Sequence, residues 1–316
     1  MAGGQERVLR RRIRSVQSTK KITKAMELIA ASQIVRSLNR MTANRPYRAG
    51  MARLVVEAAK GDPTAAAKLL GEPEERRSVA VLAVVADRGL SGPYNSSVLR
   101  ATERLLADLA REGVAVRLFT VGKKAQSYFR FRRQEVERSF MGMSERPSFA
   151  DARAVAAALS APFVAGEVDQ VLLVSTRYHS AGSQVVETRQ LLPLPDPSGE
   201  RPAAGVAGEG GRTAEAGGAR TDEGGGGYTE FEPDVETLLS ELGPKAVESE
   251  VFSAMLEGAA SFFTAQQRAM AAASDNADEL VRTLTRTMNR VRQDAITTEI
   301  MEIVGGAEAL RRTKGA

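Results

Sequence analysis

Apolar residues recur at helical spacing over both ends of this chain and in strand-like runs through its middle. Between Lys245 and Arg312 there is no proline, and Val281, Leu284, Met288, Val291 and Ala295 repeat at alternating spacings of three and four. Ile296, Ile300 and Ile303 continue at i, i+4, i+7 on a face rotated by about one residue. Both patterns predict one amphipathic helix. At roughly 1.5 Å per residue it would run about 100 Å, longer than the core of a compact domain needs. A single apolar seam on such a helix needs a partner helix or a sheath of other subunits.

The N-terminus offers the partner. Leu9, Ile13 and Val16, then Ile22, Met26 and Ile29, keep a similar rhythm from Glu6 to about Leu54. Pro46 removes a backbone donor and disfavours helix at Arg45, so a kink or stagger is expected there. Helix would then resume toward Ala59 and end at the Gly61-Asp62-Pro63 turn.

From Ser78 the period changes. Val79 to Ala86 (VAVLAVVA) is a continuous apolar run of the kind a buried parallel strand carries. Helix is expected over Ser96–Arg111, Gly122–Arg132 and Phe149–Val164, and strand over Val114–Val121, Val168–Ser175 and Ser183–Leu192, the last at a sheet edge. This alternation predicts an α/β domain with a mainly parallel, Rossmann-like sheet. Pro195 to Gly227 holds eleven of the chain's 28 glycines and almost nothing large and apolar, so it is read as a flexible insert. Asp234 to Leu242 reads as a short helix, stopped by Gly243-Pro244 before the long helix begins.

Charge sharpens the picture. Net charge is +5, and residues 1–48 carry twelve Lys and Arg against Glu6 and Glu27 alone, which suggests an acidic partner or an anionic surface. Nucleic acid is one such partner, but no recognition helix, finger or RNA-binding aromatic pattern accompanies the charge. The chain has no cysteine and one histidine, His179, which excludes thiolate chemistry and disfavours a His-based metal site or triad. No run of eighteen apolar residues occurs, and the first residues lack a secretory signal's apolar core.

Candidate chemistry is sparse. Ala86–Ser97 (ADRGLSGPYNSS) joins a strand to a helix, where α/β folds bind phosphate, yet it contains neither G-x-G-x-x-G nor a P-loop. Its glycines are read as turn formers, with Asn95 or Ser96 as helix cap. Gly122-Lys123-Lys124 is read as a helix start with solvated lysines, and His179 as a surface or core residue. Gly305-Gly306 costs about 1 kcal/mol per glycine within a helix, which fits a fraying end or close packing inside a narrow sleeve.

Several stretches are specific enough to name a family. Arg12–Ile34 (RIRSVQSTKKITKAMELIAASQI), ADRGLSGPYNSS, Ala181–Pro195 (AGSQVVETRQLLPLP), Ser274–Leu280 (SDNADEL) and Asn289–Leu310 (NRVRQDAITTEIMEIVGGAEAL) closely resemble the gamma subunits of rotary ATP synthases. The match runs in order over nearly the whole chain outside the glycine-rich insert. The resemblance implies an antiparallel coiled coil of the terminal helices inside a hexamer of alternating alpha and beta subunits, with the α/β domain seated, together with epsilon, on the membrane c-ring. It implies one copy per complex, a torque-transmitting role, and no catalytic site, cofactor, metal or nucleic acid of its own.

Carried over by motif, Arg292, Gln293 and Thr297 would engage a loop of beta, and Met26 would pass beta's lower rim. Tyr228 and Glu232, in YTEFEP, resemble the foot segment that meets the c-ring and epsilon. The expected division is 1–60 for the N-terminal coiled-coil helix, 76–194 for the α/β domain, 195–227 for the insert, and 228–316 for the foot and C-terminal helix. The expected location is peripheral, on the cytoplasmic face of a bacterial plasma membrane, through the complex only. Two departures stand out: Ser91 replaces the family's cysteine in DRGLCG, and Ser261–Met270 (SFFTAQQRAM) differs from the usual SLASEHAARM. The insert falls near a redox-controlled insertion of photosynthetic gamma subunits, a switch that a cysteine-free chain lacks. It is read either as a loop that brakes rotation or as a neutral surface insertion.

Overall fold

The computed structural model describes residues 2–61, 76–194 and 234–314. In chain order these form α1 (Ala2–Gly61), β1 (Ser78–Val84), α2 (Tyr94–Arg111), β2 (Ala115–Val121), α3 (Lys123–Phe131), β3 (Arg138–Phe140), α4 (Phe149–Val164), β4 (Gln170–Tyr178), β5 (Gln184–Leu192) and α5 (Val235–Lys314). They divide into two compact units, one of Met1–Val35, Leu90–Gly92 and Phe263–Ala316, the other of Arg36–Gly89 and Pro93–Phe262.

The second unit is built on a five-stranded sheet in the order β3-β2-β1-β4-β5. Strands β1 to β4 are parallel, and β5 is antiparallel to β4 at the edge. Alternate residues of β1 supply two cores, as the period of two requires. Val79, Val81 and Ala83 pack with Val98 and Leu109 of α2 and Phe129 of α3. Ala80, Leu82 and Val84 pack with α4, with Met51, Val55 and Ala58 of α1, and with Leu239, Val247 and Val251 of α5. The two long helices therefore cover one face of the sheet. A T-shaped chain of rings, Tyr47–Phe149–Phe252, joins α1, α4 and α5, and Arg40 donates to the Pro147 carbonyl just before the α4 cap. Ser148 and Asp151 form a reciprocal capping box there.

In the other unit the helices pack antiparallel, since Lys20 meets Asp278 and Thr23 meets Ser274. The expected α5 seam is present: Leu284 is buried and Val281, Met288, Val291 and Ala295 are half-buried, while most of their neighbours are exposed. On α1 the buried and half-buried positions include Leu9, Ile13, Val16, Lys20, Thr23, Met26 and Ala30. Ile22 and Ile29 are not among them; they are 58% and 59% exposed. The seam instead runs through small and polar residues that hydropathy alone overlooks.

Three further expectations change. Helical structure continues through Pro46, which faces solvent while Met41 and Met51 are buried. The separate helix over Asp234–Leu242 is the first part of α5, which passes through Pro244 without a break. An interior proline costs about 3 kcal/mol, but Leu239, Leu242 and Val247 each return about 1.5–3 kcal/mol on burial. Gly243 also has no Cβ to clash with the proline ring. The short strand β3 was not expected; its three residues are too few to carry a period.

Candidate functional site

The carboxyl ends of β1 and β2 form a crevice at the start of α3, where backbone amides could receive an anion. Here the protein's own carboxylate occupies it. The amide of Lys123, at the start of α3, donates to Asp87 Oδ1 at 2.9 Å. Oδ2 of Asp87 accepts from the amides of Gly142 and Ser144 at 3.1 and 3.3 Å and from the Ser144 hydroxyl at 2.7 Å. The same hydroxyl accepts from the Asp87 amide at 2.8 Å. Partial burial favours the neutral acid, but these four donors outweigh it and hold the carboxyl below the usual carboxylate range. A phosphate would have to displace a bound anion from the helix start.

The neighbouring loop is closed in the same way. Asn95 does not cap α2; its Oδ1 accepts from the Ala86 amide and its Nδ2 donates to the Arg88 carbonyl. Ser96 donates back to the Pro93 carbonyl. Gly122 has φ +99°, and a Cβ there would lie 2.4 Å from the Val85 carbonyl oxygen. Its glycine is needed for the approach of two strand ends. Ser91 is buried, and Lys123 and Lys124 are exposed. His179 is an exposed turn residue 3.5 Å from Glu187.

On the helix pair, Gln17, Lys20, Lys21, Lys24, Asp278 and Val281 line an open cleft. Lys20 Nζ lies 2.6 Å from Asp278 Oδ1, and Lys24 pairs with Glu27 at 3.0 Å. Met26 lies two residues beyond Lys24 on α1 and is half-buried. Near the end of α5, Arg292, Gln293 and Thr297 are all exposed, and the Thr297 hydroxyl donates to the Gln293 carbonyl at 3.0 Å. Around them Ile296, Ile300, Met301, Ile303 and Val304 are 45–68% exposed. A Cβ at Gly305 or Gly306 would meet nothing within 4 Å. Thus Arg292, Gln293 and Thr297 share one helix segment, whereas Met26 lies on the other helix. Tyr228 and Glu232 lie outside the described residues.

Sequence reasoning missed the polar contacts of the seam and one half-buried charge cluster. Arg48 of α1, Arg189 of β5 and Glu250 and Glu257 of α5 lie together beneath the sheet's edge. Glutamates seven apart in a run otherwise Ala-, Phe- and Ser-rich were the available signal. Among the described residues no group of His, Cys, Asp or Glu could hold a metal, and no helix is long and apolar enough to cross a membrane.

With an occupied crevice, a basic stripe and an uncovered apolar helix end, the geometry is that of an assembly component. A family profile described as ATP synthase matches residues 5–310. The ATP synthase gamma chain of Parafrankia sp. (strain EAN1pec) is 45% identical over 311 residues, covering 97% of this chain and 98% of that protein. The gamma chain of Acidothermus cellulolyticus is 42% identical over 316 residues, 98% and 99% of the two chains. Among solved structures, a chain of the Euglena gracilis mitochondrial ATP synthase, determined with OSCP, F1 and the c-ring, superposes with TM-score 0.65 at 18% identity, over 99% and 97% of the chains. A chain of the Tetrahymena thermophila central stalk and c-ring gives 0.57 at 23% identity, over 80% and 99%. These two establish likeness of fold. The chain belongs to the ATP synthase gamma chain family.

Proposed function

We propose that this chain is the central rotor shaft of a proton-translocating ATP synthase, carrying torque between a membrane c-ring and a catalytic alpha–beta hexamer. It holds no catalytic site itself. The observation that carries the reading is the end of α5, where five large apolar side chains stand uncovered on a helix continuous to Lys314. Such a segment is stable in water only inside a sheath. Arg292 can form forked, charge-assisted bonds to carboxylates of that wall, with Gln293 and Thr297 beside it. Met26 and the lysines of the cleft face an acidic rim of beta. Tyr228 and Glu232 are assigned to the c-ring and epsilon by motif alone.

Each rotor angle stabilises a different set of hexamer conformations, so torque becomes a population shift through differential contacts. One copy serves each complex, held at the cytoplasmic face of a bacterial plasma membrane through its partners. The division into coiled-coil helix, α/β domain, insert and foot follows the same reading. The test is reconstitution with alpha and beta subunits. ATP hydrolysis should require all three and fall on Arg292→Ala with Gln293→Ala. No complex, or nucleotide turnover by this chain alone, would overturn the proposal.

A further inference from the structure

Apolar contacts hold α1 and α5 against the sheet, but they are non-directional and resist rotation of a helix about its own axis only weakly. One polar cluster interrupts them. Arg48 of α1 grips Glu250 of α5 with two prongs, Nε to Oε1 at 2.5 Å and Nη2 to Oε2 at 3.0 Å. The same Oε2 lies 3.7 Å from Nη1 of Arg189, whose Nη2 donates to Ser175 Oγ of β4 at 3.3 Å. Glu257, one further pair of turns along α5, stands 3.6 Å from Arg48 and accepts from Ser253 at 3.3 Å. Its side chain is only 7% exposed and that of Arg189 only 16%.

Glu250 thus links α1 to β5, bonding Arg48 twice and facing Arg189 in a longer ion pair, while Glu257 faces Arg48 from the next turns of α5. Desolvation lowers the pKa of Arg189, and Glu257 and Glu250 offset that only in part. Charges buried in this way add little net stability over apolar residues of the same shape; what they add is a defined geometry. A turn of α5 by about 20° would sweep a carboxylate at the roughly 6 Å side-chain radius through about 2 Å, enough to break a forked bond.

We propose that Arg48, Arg189, Glu250 and Glu257 form a rotational lock that fixes the angle of the shaft helices against the α/β domain, so that torque passes without slip. These are positioning residues, and the inference rests on the rotor reading above. The test is the chain assembled with alpha and beta subunits, the hexamer fixed to a surface and a bead on the exposed α2–β2 turn. Torsional stiffness comes from the bead's angular fluctuations, and unloaded ATP hydrolysis is measured alongside. Arg189→Met with Glu250→Gln keeps the cluster neutral while cutting the shared oxygen out. Stiffness should fall, because the contact between Arg189 and Glu250 that ties α5 to the sheet is lost, with unloaded hydrolysis unchanged. Should that pair not assemble, Arg189→Lys, which keeps the charge but loses the guanidinium's separate contacts with Glu250 and Ser175, should soften the shaft in the same sense. Stiffness equal to wild type, or hydrolysis falling in step with it, overturns the lock. A wild-type chain that forms no complex overturns the rotor reading instead, and the lock with it.

Discussion

Gly258 of α5 faces the Tyr94 hydroxyl so closely that a Cβ on the glycine would lie 3.1 Å from it. Tyr94 is buried and its ring packs edge-on to Phe262 at 5.8 Å, and Val84 Cγ1 would lie 3.7 Å from the same Cβ. The ring has little room to retreat. Gly258→Val should therefore destabilise the protein by about 1–3 kcal/mol through overpacking. Gly258→Ala should be milder, because its gain in helix propensity of about 1 kcal/mol offsets part of the contact. Thermal unfolding of the two variants against wild type checks the order.

Gly122 and Gly142 both have positive φ, but their surroundings differ. A Cβ at Gly122 would collide with backbone atoms of Val85 and Ala86, whereas one at Gly142 would meet nothing within 4 Å. Gly142→Ala should cost about 1–2 kcal/mol from the left-handed backbone alone. Gly122→Ala should cost clearly more, since backbone must move. Urea unfolding midpoints compare them.

Asp87 makes stability depend on pH in a definite direction. Its folded pKa is lowered, so its contribution is complete above the unfolded carboxylate value of about 3.9. It is lost as pH falls from there through the folded value. Asp87→Asn should be less stable than wild type at pH 6, and the gap should close only in strongly acid solution. A constant gap across pH 6 to 3 and below would mean that the four donors do not act on the charge.

Two ion pairs of similar appearance should behave differently. Lys20 and Asp278 are 39% and 45% exposed, so Asp278→Asn should cost less than about 1 kcal/mol and lose its effect in salt. Glu250→Ala leaves Arg48 and Arg189 without their common carboxylate and should cost about 3 kcal/mol. Thermal unfolding at low and high salt separates them.

Changing Ile300 and Ile303 to Ser should leave the stability of the isolated chain within about 0.5 kcal/mol, because both side chains are more than half exposed. The same change should weaken assembly with alpha and beta subunits in a reconstitution titration. A large loss of stability in isolation would show that the chain covers this face itself.

The sequence by itself determined the local architecture. Periods of three and four named the two long helices, and β-branched runs named four of the five strands, because those signals are local and repeat many times. Terminal motifs such as NRVRQDAITTEIMEI pointed to the family for the same reason. Only the tertiary structure decided which residues form the seam. It chose Lys20, Thr23 and Ala30 over Ile22 and Ile29, since close antiparallel packing selects by position and size before hydropathy. It likewise carried α5 through Pro244, placed Asp87 at the start of α3, and gathered Arg48, Arg189, Glu250 and Glu257. Those outcomes depend on partners that can be more than two hundred residues apart, and no window of sequence contains both sides of such a contact.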